Sequence, residues 1–166
     1  MKYSVVISTC LLFLFIGCDL LPSDPDTTDD LFEDGEAVFF STIDKGFFSN
    51  MSERQKIIKK REAFETFWSN LHAGKYPLPE TPEVDFGSQM VIAYSMGSQS
   101  SGGYITEITQ VQRSESLLGV KVKNRSPGKG CIVTWVITTP YHIIRLKKSD
   151  QQVQFIEENI TNNCRN

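Results

Sequence analysis

The spacing of apolar side chains changes character several times along this chain. From Val5 to Ile16, behind the basic Lys2, it is continuous except at Ser8 and Thr9. A run of this length falls short of the roughly 20 residues that span a bilayer and reads as the apolar region of a removable export signal. Asp19–Glu36 then carries eight acidic residues, no Lys or Arg, and both Pro22 and Pro25. Such a stretch has too little apolar surface to offset the entropy lost on ordering, so a flexible tether is predicted over residues 18–36. Ala37–Ile43 (AVFFSTI) is aromatic and β-branched, which predicts a strand turned at Asp44-Lys45-Gly46 into Phe47 and Phe48. Between Arg61 and Ala73 the period becomes helical. Phe64, Phe67, Trp68 and Leu71 recur at i, i+3, i+4, i+7 and put four large apolar side chains on one face. Gly74 suits the C-terminal cap, and Pro77 and Pro79 stop any continuation.

From Gln89 onward the pattern is that of strands. Met90, Ile92, Tyr94 and Met96 share one face of a strand that ends at Gly97, and a second strand is predicted from Tyr104 to about Arg113 after the loop Ser98–Gly103. Leu118, Val120 and Val122 alternate with Gly119, Lys121 and Lys123, as in a half-buried strand. Pro127–Gly130 is a turn. Cys131–Thr139 is apolar or Thr at nearly every position, which predicts a central strand buried on both faces. Pro140 interrupts it, since proline cannot donate to the ladder, and His142–Lys147 resumes as an edge-like strand; Val153 and Phe155 close the set. Six or seven antiparallel strands in short hairpins with one packed amphipathic helix make an α+β, β-rich domain with a sandwich-like sheet. The roughly 130 residues from Ala37 onward suffice for one core, so a single globular domain is expected over 37–166.

Charge adds little to this picture except at the N-terminus. Without the signal and the tether, 16 basic residues face 12 acidic ones, an excess too small and scattered for a nucleic-acid surface. Phe15-Ile16-Gly17-Cys18 resembles a bacterial lipobox. That likeness implies cleavage after residue 17, acylation of Cys18, and a lipid-anchored place in the bacterial cell envelope, at either the inner or the outer membrane. With Cys10 in the signal and Cys18 lipidated, Cys131 and Cys164 are the remaining thiols of an exported chain. They can pair, which would constrain the unfolded chain by roughly 3–4 kcal/mol, or stay free; the sequence leaves both open.

Candidate chemistry is sparse. His72 and His142 lie 70 residues apart and read as structural, and two lone cysteines with two distant histidines give no metal-ligand spacing. Ser126-Pro127-Gly128-Lys129 matches Ser-x-x-Lys in letters, but that motif works on a helix and Pro127-Gly128 makes a turn. Gly102 and Gly103 precede a β-rich run rather than a helix, so they form no phosphate loop. Glu83 and Asp85 read as solvated loop carboxylates. Neither a cofactor nor a catalytic site is expected. What exceeds the needs of turning is a pair of loops, Ser98–Tyr104 and Thr138–Tyr141, that couple Gly or Pro to a Tyr. Ser101, Gly102, Gly103, Tyr104, Thr139, Pro140 and Tyr141 are the candidate partner-binding residues, although the glycines also suit positive φ and the tyrosines a core.

Taken in order, Asp44-Lys45-Gly46, Phe64 with Trp68, Pro82 before Asp85-Phe86, Met90-Val91-Ile92, Gly97, Ser101-Gly102-Gly103-Tyr104, Pro127-Gly128 and Thr139-Pro140-Tyr141 resemble the C-terminal domain of PrcB-type lipoproteins over about residues 38–156. The resemblance implies a non-catalytic accessory protein that assembles or stabilises a secreted protease complex, with a protein partner and a lipid-anchored membrane as its contacts. A second likeness is to chagasin-type cysteine-protease inhibitors, which use a Gly-Tyr loop and an aromatic-proline loop as a wedge. Here the spacings are shorter and that family's Asn-Pro start is absent, so inhibition is the alternative.

Overall fold

The structure, a computed structural model, describes residues 35–164. The signal, Cys18 and nearly all of the tether lie outside the described residues. Eight strands are described: β1 (Glu36–Ala37), β2 (Phe40–Gly46), β3 (Gln55–Ile58), β4 (Gln89–Ser95), β5 (Ile105–Arg113), β6 (Leu117–Pro127), β7 (Tyr141–Lys147) and β8 (Gln152–Asn162), with one helix, α1 (Arg61–Leu71), between β3 and β4. They form two four-stranded sheets, ordered β1-β5-β6-β8 and β2-β7-β4-β3. The β-rich reading with one helix holds. The strand count is higher than the expected six or seven, and β6 and β8 pair in parallel through eleven residues rather than antiparallel.

In the second sheet the period-2 alternation sorts side chains to two different cores. Met90, Ile92 and Tyr94 of β4 join Ile144 and Leu146 of β7 against Ile108, Val111, Leu118, Val120 and Val122 of the first sheet. Val91, Ala93 and Ile143 face the other way, onto Phe64, Trp68 and Leu71 of α1. This is why β4 and β7 are buried on both faces. The helical stripe lands where its spacing predicts, with Phe67 only partly buried. Trp68 also donates its indole N–H to Pro79 O at 3.1 Å, and Asn50 donates to Ala73 O at 3.0 Å beyond the last helical turn.

Three sequence expectations are corrected. Asp44-Lys45-Gly46 is not a turn but the end of β2, past a bulge between Thr42 and Asp44. β7 is not an edge; it lies between β2 and β4. Cys131–Thr139 is not a central strand. Apart from a bridge between Thr138 and Gln99 it is irregular, and Ile132 and Trp135 are almost wholly exposed. The reason is topological: β4 and β7 already fill the centre of the second sheet, and this segment is the crossover from the end of β6 to the start of β7. β3 (QKII) is a four-residue strand set in a charged stretch, which weakens its strand signal, and it is held by pairing to β4.

The strands give the molecule two poles. At one, Glu36 pairs with Arg113 and Phe40 with Leu146, so the chain enters there. The opposite pole collects the end of β2, the 96–104 loop, the 128–140 crossover and the end of β8. The nine residues of β5 separate the poles by about 25–30 Å.

Candidate protein-interaction surface at the loop pole

The two loops singled out in the sequence meet at this second pole. Gln99 and Thr138 exchange backbone hydrogen bonds (2.7 and 3.0 Å), Gly102 N donates to Thr134 O at 2.9 Å, and Thr138 Oγ1 donates to Ser101 O at 2.8 Å. Thr139 binds a third segment: its N donates to Phe47 O at 2.7 Å, and its Oγ1 accepts from Ser49 N at 2.6 Å. Met96 N donates to Pro140 O at 2.9 Å. Cys131 and Cys164 are bonded, with Cα atoms 4.9 Å apart, which ties the start of the crossover to the end of β8.

The glycines are explained by packing within the pole. A Cβ on Gly102 would collide with Thr134 Oγ1, and one on Gly103, whose φ is +88°, would meet Val133 Cγ1 at 3.0 Å. The Pro127-Gly128 pair likewise admits the end of β8, since a Cβ on Gly128 would press on Asn162 O at about 2.5 Å. These positions therefore shape the surface rather than offer bare backbone to a ligand.

Tyr141 and Pro140 are corrected as contact side chains. Tyr141 is 3% exposed. Its ring lies where a Cβ on Gly46 would be 2.9 Å from Cε1, and its hydroxyl donates to Asp44 Oδ2 at 2.7 Å. Burial first, then the Asp44 carboxylate, raise the Tyr141 pKa. Asp44-Lys45-Gly46 and Thr139-Pro140-Tyr141 thus form one lock: Gly46 makes room for the ring and Asp44 takes the proton donor. A two-loop wedge that needs an outward Tyr141 does not fit this geometry. Tyr104 is only half-buried.

Both histidines are buried. His142 accepts the Ile108 N–H on Nδ1 at 2.8 Å, so the neutral ring carries its proton on Nε2, 2.8 Å from Thr42 Oγ1. It bridges the sheets where β2 and β5 both bulge. Burial, followed by Lys45, lowers its pKa to about 4, against the opposing pull of Glu107 and Asp44. His72 accepts from Lys75 Nζ on Nδ1 at 2.9 Å, and its Nε2 lies 3.4 Å from Asp44 Oδ2, sealed from solvent. Burial, then Lys75, lower its pKa. A shallow cleft of about 510 Å³ is lined by Asp44, Phe47, Phe48, Trp68 and His72 among others.

The loops of the pole carry several exposed apolar side chains beside the exposed Ser98, Ser100 and Thr134, with the Lys45–Glu107 ion pair at their flank. Ile132, Trp135, Val136 and Ile137 on the crossover and Phe47 and Phe48 beside Thr139 are exposed. Across residues 46–52, 96–106 and 126–141 the only charged side chain is Lys129. Reading Cys131–Thr139 as core is what hid the exposed crossover residues; the one cue in the sequence is that the run directly precedes Pro140 and follows a Gly-Lys-Gly turn.

Residues 90–147 match the family model described as PrcB C-terminal. The match runs from β4 to the end of β7 and takes in the motifs from Met90-Val91-Ile92 to Thr139-Pro140-Tyr141, so this segment is similar to that family. No curated protein and no solved structure matches the chain.

Proposed function

We propose that this chain is a membrane-anchored, non-catalytic lipoprotein of the bacterial cell envelope that binds and assists an exported protease complex through its loop pole. The match of residues 90–147 to the PrcB C-terminal model, with what the motif resemblance implies, supports the protease-complex association. The observation that carries the binding role is the group of exposed apolar side chains on the loops of the pole, Phe47, Phe48, Ile132, Trp135, Val136 and Ile137, since monomeric proteins rarely leave large apolar patches uncovered. Its position supports a protein partner: Cys18 is the expected acyl site, and the described chain enters the domain at the far pole. The tether would hold that end toward the bilayer and present the loops outward, with two or more acyl chains giving stable attachment. A catalytic role is not favoured by the cleft. The His72 ring is 2% exposed, its Nδ1 is committed to Lys75, and Asp44 is committed to Tyr141.

The test is co-purification of the exported protease complex with full-length chains carrying Ser100→Arg or Tyr104→Ala, with melting midpoints measured in parallel. Loss of the protease at an unchanged midpoint supports the reading. Undiminished co-purification with both variants, or peptidase activity in the isolated chain, would contradict it.

A further inference from the structure

We infer that the groove between β3 and α1 takes up an extended segment of a protein partner, basic and aliphatic at alternate positions, by strand addition to the free edge of β3. The surface lies on the flank of the second sheet, is distinct from the crossover and the 96–104 loop, and goes beyond the proposed function. β3 is the outer strand of its sheet and pairs on one side only, with β4. Just before it, Ser95 N donates to Arg54 O at 2.8 Å. Bonded and non-bonded positions alternate along an antiparallel pair. Lys56 and Ile58 therefore continue the ladder to Ala93 and Val91, while Gln55 and Ile57 turn both N–H and C=O away from the sheet. Both residues are exposed, Ile57 at 41%. An edge that presents such groups is a template for one further strand.

Parity decides where the side chains of the added strand go, because residues directly opposite one another share a face of the sheet. Lys56 is level with Ala93, which packs on the α1 side. A partner residue opposite Lys56 therefore points to that side as well. There it meets a groove of about 470 Å³ walled by Met51, Ala63, Phe67 and Leu71, with Glu53, Lys56 and Glu62 among its polar residues. Met51 and Phe67 are only partly buried, so an aliphatic side chain opposite Lys56 would complete their cover. Charge selects the next position on the same face. Lys56 already pairs with Glu53 at 3.2 Å, whereas Glu62, in the first turn of α1 just past Ile58, makes no ion pair among the described residues. A Lys or Arg opposite Ile58 would complement it. In the antiparallel sense the occupant thus reads basic-x-aliphatic-x, and the two residues marked x exchange backbone hydrogen bonds with Ile57 and Gln55.

The test is fluorescence anisotropy of the peptide fluorescein-Thr-Arg-Thr-Leu-Thr-amide titrated with the full-length chain in mild detergent at low ionic strength, with melting midpoints measured in parallel. Its Leu would stand opposite Lys56 and its Arg opposite Ile58, and saturable binding is expected. Ala63→Phe, at an exposed helix position, fills the groove and should weaken binding about 10-fold or more, the worth of burying one leucine. Ile57→Pro removes an outward N–H and no bond to β4, and methylation of the peptide's central Thr amide removes the donor to Ile57 O while leaving the protein untouched. Each should weaken binding about 2- to 10-fold, and Glu62→Gln about 1.5- to 5-fold. Absence of binding up to about 1 mM chain overturns the inference, as does binding indifferent to both backbone changes or to Ala63→Phe. Binding abolished by Ser100→Arg overturns it too, because the peptide would then sit at the loop pole. The proposed function is tested by protease co-purification with Ser100→Arg and Tyr104→Ala, and this inference by the peptide with Ala63→Phe and Ile57→Pro, so either can fail alone.

Discussion

Acidification should destabilise this domain through His142, and the size of the effect follows from its surroundings. The ring is 2% exposed and bridges two bulged strands through Ile108 N–H and Thr42 Oγ1. Protonating Nδ1 would abolish its capacity to accept from Ile108 and place a cation beside Lys45. The folded state holds the pKa near 4 against an ordinary value of 6.5. The unfolded chain therefore binds the proton first. Stability from this group is complete above pH 6.5, declines as pH falls from 6.5 to 4, and changes no further below. At about 1.4 kcal/mol per pH unit the loss across that window is about 3 kcal/mol, a large share of the 5–15 kcal/mol typical of a domain. Urea unfolding at pH 7, 5.5 and 4 of wild type and His142→Gln isolates the contribution from that of the carboxylates and of His72. The variant should be less stable at pH 7, and its deficit should shrink by about 3 kcal/mol on reaching pH 4. A deficit that stays constant with pH, or a His142 imidazole that titrates near 6.5 by NMR, would refute the assignment.

Tyr141→Phe should cost about 1.5–3 kcal/mol, because the hydroxyl donates to a carboxylate in a nearly buried site, and should leave protease co-purification intact in the folded fraction; selective loss of the partner at full stability would return Tyr141 to the interface. Gly102→Ala should destabilise by about 1–3 kcal/mol through its collision with Thr134 Oγ1. Adding Thr134→Ala should recover at least about 0.5 kcal/mol of that, and strictly additive losses by denaturant titration would contradict the contact. Trp68→Ala, which empties the seam between α1 and the second sheet, should cost about 3–5 kcal/mol; a melting midpoint close to wild type would show that the seam does not carry the fold.

The helix and its buried face were legible because a 3.6-residue period with four large apolar side chains has few other readings. β4 and β6 were legible for the analogous reason at period 2. At Cys131–Thr139 composition alone cannot distinguish a doubly buried strand from a β-prone segment kept outside; what decides is which strands already occupy the centre of the sheet. In sequence β7 reads as an edge because Pro140 suggests one, yet Pro140 precedes the strand and its carbonyl accepts from Met96. The candidate loops were found through their Gly, Pro and Tyr residues. Their chemistry was only half readable, since the partners of Gly102 and Tyr141 are Thr134 and Asp44, remote in sequence and brought near by the crossover and by β2.

On the proposed function the loop pole, and not the pole where the chain enters, meets the exported protease. A photo-activatable side chain placed at Ser100 of the full-length protein in the intact envelope, with Glu115 between β5 and β6 as the opposite-pole control, tests it directly. A cross-link to a subunit of an exported protease complex is expected from position 100 and none from position 115. A protease cross-link from position 115 alone, or products from position 100 that contain no protease subunit, would contradict it.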